Sequence, residues 1–458
     1  MKACDADLEG AAWSGASTKA ASFEVQVQEA RAPPLKSGPR RGRCRGCAAR
    51  ASVAAVAVSM LLYIGAVAIM SQAAISSMVT IDDREVMRYC AANSTDSLAS
   101  SISWPVCGVA EWTASCARPC YSEDLLRRVQ ALNKKHPGRL VAYRSRPHAG
   151  SEVVDLSGWY MPAPPETRPR GRPPPRVVVQ HGFTENSNYF RYVLFAYMLR
   201  SVGVDVIVNN FRDHCYSANS SRHIYEWGHA YPYDLLGAWD YARTDPDGIM
   251  GGPLEANQVG LSGFSKGGFT TLNAFGLEGE VPAAWVDGAP STPGEVFAHS
   301  AKQRFIDAGV PVAVSSIFVE PAWRAVLAYA HAHGVDLNEN IPAIALPMGP
   351  DLRRPVHVIQ NTQDHLVPMS EHTQVMKVFA EYPEKYDVQG DWVVTGKCHG
   401  NGHCTEHLRL FDEYFARLCR FWRGAFAVDA GRCDDLKRKE AAGERPHNDV
   451  VAIETLAV

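Results

Sequence analysis

Between residues 176 and 288 the chain repeats one pattern: a short apolar run, a turn residue, then a stretch of helical composition. RVVVQHG, residues 176–182, is a β-branched run stopped by glycine. A run that is apolar at every position suits a parallel strand buried on both faces. NYFRYVLFAYMLRSVG reads as a helix with glycine at its end. VDVIVNNF, residues 204–211, is the next strand and YPYDLLGAWDYART the next helix; QVGLSGFS, KGGFTTLNAFGLE and VPAAWVDGAP continue the alternation. Such alternation predicts an α/β fold with a mostly parallel central sheet and helices on both faces, because right-handed crossovers return each strand beside an earlier one. Ahead of it, LVAYRSR and VVDLSGWYMP predict a leading antiparallel pair, and PAPPETRPRGRPPP an exposed loop.

Inside this frame one turn carries chemistry. Gly263, Ser265 and Gly267 spell G-x-S-x-G directly after an apolar strand and directly before a helix. A strand that turns that sharply needs glycines beside the serine, and the turn leaves the hydroxyl clear of the sheet end. Ser265 is thus the candidate nucleophile.

The region from about residue 140 to 426 resembles the α/β-hydrolase superfamily, in particular its esterase and serine-peptidase-like branch. The resemblance rests on three segments in order: His181-Gly182-Phe183, Arg212-Asp213-His214-Cys215-Tyr216-Ser217, and Gly263 to Gly267. The middle segment departs from the family's R-G-H-G-x-S, with Asp213 and Cys215 in place of both glycines. The resemblance implies an oxyanion hole made by the backbone N–H groups of Lys266 and Phe183. Such donors contribute about 3 to 4 kcal/mol each to an acyl-transfer transition state.

A serine hydroxyl needs a base to take its proton, and the base needs an acid to hold its tautomer. The fold puts them in the order Ser, acid, His. Asp364 stands just past the strand VHVI, where an open parallel sheet places its site. Asp287, at the end of the strand AWV, is the reserve. For the base, DWVVTGKCHGNGHCTEHL offers His399, His403 and His407. His403, at the junction of the last loop and the last helix, is the choice, with His399 and His407 as alternatives. Cys398, His399, His403, Cys404 and His407 also have spacings that suit zinc. A Cys398–Cys404 disulfide is the simpler use of these cysteines, and no metal or cofactor is assigned.

The ends differ from the centre. Residues 1–50 are rich in Ala, Gly, Pro and Arg without apolar period, and predict a disordered cytoplasmic tail. Residues 51–78 contain no charge and predict a transmembrane signal-anchor helix. Arg40, Arg41, Arg43, Arg45 and Arg50 precede it, so the positive-inside rule places the catalytic domain in the lumen of the secretory pathway or outside the cell. Cys90, Cys107, Cys116, Cys120, Cys215, Cys398, Cys404, Cys419 and Cys433 lie beyond that helix, and an oxidising compartment would pair most of them. Asn93 and Asn219 begin glycosylation sequons. Residues 79–138 read as a Cys-containing neck, 139–426 as the hydrolase domain, and 427–458 as a disordered tail.

The net charge of −3 argues against nucleic acid as a partner. An insertion at about residues 291–350 reads as an apolar helical cap, which favours a small-molecule or lipid ester as substrate. The expected activity is a serine hydrolase that cleaves a carboxylic ester through Ser265, His403 and Asp364. A peptidase or acyltransferase of the same fold, or a non-catalytic binding protein, is the alternative reading.

Overall fold

The computed structural model describes residues 45–90, 123–395, 403–427 and 433. Eight strands form one sheet in the order β1-β2-β4-β3-β5-β6-β7-β8. They are β1 (Arg139–Arg144), β2 (Asp155–Met161), β3 (Arg176–Gln180), β4 (Asp205–Asn209), β5 (Val259–Phe264), β6 (Ala284–Asp287), β7 (Arg354–Asn361) and β8 (Tyr386–Val394). β1 and β2 pair antiparallel, β2 joins β4 antiparallel, and every pairing from β4 through β8 is parallel. This is the α/β-hydrolase fold, with the leading antiparallel pair that the sequence predicts.

The period-2 geometry of the strands explains why both faces are covered. Val177 and Val179 of β3 face one layer, which holds Phe190–Leu199 and Tyr414–Phe426, while Val178 faces the other, with Leu235–Ala242 and Leu272–Phe275. The helices of these layers are α4 (Phe190–Ser201) and α11 (Phe411–Phe426) on the first face, α5 (Tyr231–Thr244) and α6 (Lys266–Leu277) on the second. α3 (Glu123–Lys135) adds Leu125 and Val129 to the first layer, and α10 (Met369–Glu381) adds Val375 and Phe379 to the second.

Between β6 and β7, in the stretch the sequence reads as a cap, the chain inserts α7 (Pro293–Asp307), α8 (Val312–Ala332) and the short α9 (Pro342–Ala345). Thr292 caps α7 by accepting from the Glu295 N–H at 3.1 Å. Phe297, Val319, Ala322, Val326 and Ala330 of the cap form a third core cluster with Phe211, Trp227 and Phe269.

The same cluster includes Met70, Ala74, Ile75 and Met78 from the C-terminal part of α1 (Arg45–Met78). Among the described residues two helices, Ala55–Met78 and Val312–Ala332, are long and apolar enough to cross a membrane. The second of these is the cap helix α8, which contributes its apolar face to the third cluster. The described chain divides into two compact units, one ending at Ala66 and the other beginning at Val67. Within the larger unit, α2 (Asp83–Val86) and its flanks are fixed to the domain: Val86 and Arg88 carbonyls accept from Asn186 Nδ2, at 3.1 and 2.7 Å.

Among the described residues two disulfides are formed, Cys90–Cys215 and Cys419–Cys433. The first closes a loop of 125 residues. Loops of that size stabilise through loss of denatured-state entropy, so Cys215→Ser is expected to cost about 2 to 5 kcal/mol in chemical unfolding. Cys107, Cys116, Cys120 and Cys398, residues 1–44, 428–432 and 434–458 of the two tails, and the Asn93 sequon lie outside the described residues.

Candidate active site

The elbow is strained in the way its sequence requires. Ser265 has φ +54° and ψ −124°, between the last residue of β5 and the first of α6. A Cβ on Gly263 would sit 2.2 Å from the Gly267 carbonyl oxygen, and one on Gly267 2.3 Å from that of Gln180. Both flanking glycines are therefore needed for the close approach. The Ser265 N–H donates to the Asp287 carbonyl at 2.8 Å, which ties the elbow to the end of β6.

Register aligns the neighbouring strand ends. Phe264 pairs with Asp287 and Asp287 with Ile359, so β5, β6 and β7 end along one edge. Past that edge, Asp364 Oδ1 accepts from the N–H groups of Leu366 at 2.9 Å and Val367 at 3.0 Å. Its Oδ2 bonds His403 Nδ1 at 2.7 Å. The acid side chain is buried and the histidine is 11% exposed. Gly288, with φ +61°, backs the imidazole: a Cβ there would lie 3.4 Å from His403 Cε1. Gly182 lies beside Ser265, whose Cβ would be 3.5 Å from a Cβ at that glycine.

The other candidates are occupied elsewhere. Asp287 is buried, its Oδ2 accepts from Tyr414 Oη at 3.3 Å, and burial next to Glu406 and Asp364 holds its carboxyl well above the usual range. His407 is fully buried against Phe264 and Tyr414, and burial pushes its imidazole well below its ordinary pKa. His399 lies outside the described residues. The expected Cys398–Cys404 clasp is not made: Cys404 is a free, buried thiol that donates to the Asp287 carbonyl at 3.2 Å. With φ +51° it tucks its sulfur beneath Gly288, a placement that no local pattern in the sequence foretells.

The segment that departs from the family pattern keeps a glycine-like backbone. Asp213 and Cys215 have φ +62° and +51°. Strain of roughly 1 to 3 kcal/mol at such positions must be offset by neighbours. Here Asp213 accepts from Ser220 N at 2.7 Å and Ser220 Oγ at 2.8 Å, and Cys215 is held by its disulfide. Arg212 makes a buried bidentate pair with Asp234. His181 and His214 are kept neutral first by burial and then by the neighbouring Lys266 ammonium.

The sequence gives a reason for the Lys266 backbone N–H but none for its side chain. Its side chain is buried inside four rings, with Nζ 4.5 Å from the Phe211 centroid, 4.6 Å from those of Tyr225 and Tyr231, and 5.1 Å from Phe183. The Nζ has no hydrogen-bond partner, and burial pushes its pKa well below the ordinary lysine value. Cation–π attraction offsets part of that desolvation. The arrangement joins the two expected oxyanion donors, since Lys266 follows the nucleophile and Phe183 forms one wall of its cage. A depressed folded pKa means that the unfolded chain binds the extra proton. Wild-type stability therefore rises with pH from the folded pKa up to about 10.4, by at most about 1.36 kcal/mol per pH unit. Lys266→Met, which fills the cage without a charge, is expected to remove that increment when unfolding free energies of the two proteins are compared across pH 7 to 10.

No family model and no curated protein sequence matches the chain. Solved structures do resemble it. An esterase of Pyrococcus furiosus aligns at 17% identity over 64% of this chain and 92% of its own, with TM-score 0.44. A puromycin-hydrolyzing peptidase of Mycobacterium tuberculosis aligns at 20% identity over 62% of this chain and 40% of its own, with TM-score 0.42. An acylaminoacyl peptidase of Pyrococcus horikoshii aligns at 19% identity over 61% and 41%, with TM-score 0.38.

Proposed function

We propose that this chain is a membrane-anchored serine hydrolase that cleaves carboxylic esters through Ser265, His403 and Asp364. The observation that carries the reading is the Asp364–His403 hydrogen bond, 2.7 Å long, at the same sheet edge as the strained Ser265. Asp364 holds the proton on Nδ1, which leaves the lone pair on Nε2 to act as base, with the Cys404 sulfur 3.8 Å away as its neighbour. Ser265 attacks the carbonyl carbon while His403 takes its proton. The oxyanion is stabilised by the Lys266 and Phe183 N–H groups, with the N-terminal end of α6 adding partial positive charge. His403 then protonates the leaving alcohol, and a water it activates releases the acid from the acyl-enzyme.

Ester rather than amide is supported by the cap, where Ile306, Val312, Val314 and Ile317 are large apolar side chains exposed to solvent. Anchoring is supported by the charge-free stretch 51–69 ahead of Met70, about 19 residues and so close to the ~30 Å of a hydrocarbon core. The arginines before it and two disulfides after it favour a lumenal or extracellular domain. A panel of p-nitrophenyl esters of rising acyl length, run beside peptide p-nitroanilides, tests the substrate class. Turnover confined to the anilides would overturn the ester assignment.

A further inference from the structure

We propose that His148, His229 and Glu339 form a zinc site that fastens the cap to the core. Their ligand atoms all lie within 4.8 Å of one another. They come from three segments: His148 follows β1, His229 precedes α5, and Glu339 lies in the cap between α8 and α9. Two imidazoles and one carboxylate are a donor set that suits zinc, with the fourth position left to water. Glu339, whose side chain is 31% exposed, provides the opening to solvent.

The donors are already aimed at one point. Glu339 Oε1 meets His148 Nε2 at 2.8 Å, and its Oε2 meets His229 Nδ1. Each contact needs a proton on the histidine nitrogen, and zinc would replace both. The far nitrogen of His229, Nε2, faces the Gly150 carbonyl at 3.4 Å, the outer-shell partner that fixes a metal-binding tautomer. His148 is oriented by stacking on Tyr233, with centroids 3.9 Å apart and planes within 7°.

The cap segment is likewise preset. Asn340 Nδ2 donates to the Gly228 carbonyl at 2.8 Å, and the Asn340 carbonyl accepts from Asn273 Nδ2 at 2.7 Å. A Cβ on Gly228 would fall 2.3 Å from that same carbonyl oxygen, so residue 228 must be glycine for the two segments to meet. Two residues before His229, Trp227 stacks on Phe183, with centroids 5.6 Å apart. A metal here would therefore stiffen the cap root and the segment that backs the oxyanion loop.

The test uses the full chain in detergent, stripped with a chelator and dialysed. Calorimetric titration with Zn²⁺ should show one ion per chain, tighter as pH rises because protons are displaced. At zinc about a hundredfold above Kd, Tm should increase by roughly 3 °C or more, with no response to Mg²⁺ or Ca²⁺. Glu339→Gln, which is isosteric, should weaken binding at least tenfold. Co²⁺ on the wild-type protein gives a readout independent of any variant: visible d–d bands without thiolate charge transfer support the site. No uptake by stripped wild type would leave an ion-paired cluster only and overturn the proposal. Equal binding by Glu339→Gln, or a thiolate charge-transfer band, would place the metal elsewhere and overturn it too.

Discussion

Ser265→Ala is expected to lower ester turnover by at least about 10⁴-fold while leaving the fold intact. In comparable enzymes removal of the nucleophile costs on the order of 10⁶ in kcat, and the residual rate comes from the oxyanion donors and substrate binding. Alanine at this position keeps the same φ of +54° and deletes only the hydroxyl, so Tm should change little or rise. His403→Ala should cost a similar factor, and the double variant no more than the worse single, because the two groups act as a unit. Steady-state rates on an activated ester, with thermal unfolding of each variant, check both halves.

The second large effect separates two aspartates. Asp364→Asn should lower kcat by about 10⁴-fold, since an amide can donate to His403 Nδ1 and fix the wrong tautomer. Asp287→Asn should cost less than about tenfold. Its carboxyl is held neutral by burial beside Glu406 and Asp364, and it contacts Tyr414 rather than the imidazole. An amide can accept from the same phenol. What Asp287 gives the site is its backbone, whose carbonyl receives the Ser265 N–H and the Cys404 S–H, and a side-chain substitution leaves that in place. Rates on one ester for both variants decide the matter: equal losses, or the larger loss at Asp287, would move the acid.

The parts of the fold that were legible are those in which one residue type has one use. Val177, Val178 and Val179 are apolar on successive positions because β3 is buried on both faces. Gly263 and Gly267 frame Ser265 because nothing larger fits beside the Gly267 and Gln180 carbonyls. His403 and His407 stand four residues apart, yet His403 meets Asp364 while His407 is fully buried against Phe264 and Tyr414.

What stayed hidden depends on long-range packing. Asp213 and Cys215 look like the loss of a glycine-dependent loop. They retain left-handed backbone only because Ser220 and Cys90, seven and 125 residues away, hold them. Cys404 looks like a disulfide partner for Cys398, yet its sulfur lies under Gly288 against the Asp287 carbonyl. The ring cage of Lys266 draws on residues 183, 211, 225 and 231, and the cluster of His148, His229 and Glu339 spans 191 residues. No local pattern announces either.

Ser265 should behave as an activated nucleophile. This is tested most directly by treating the purified protein with a fluorophosphonate and locating the adduct by peptide mass spectrometry. One adduct per chain is expected, on Ser265, absent from Ser265→Ala and strongly slowed in His403→Ala. An unmodified Ser265 in folded wild-type protein, or an adduct that persists in Ser265→Ala, would contradict it.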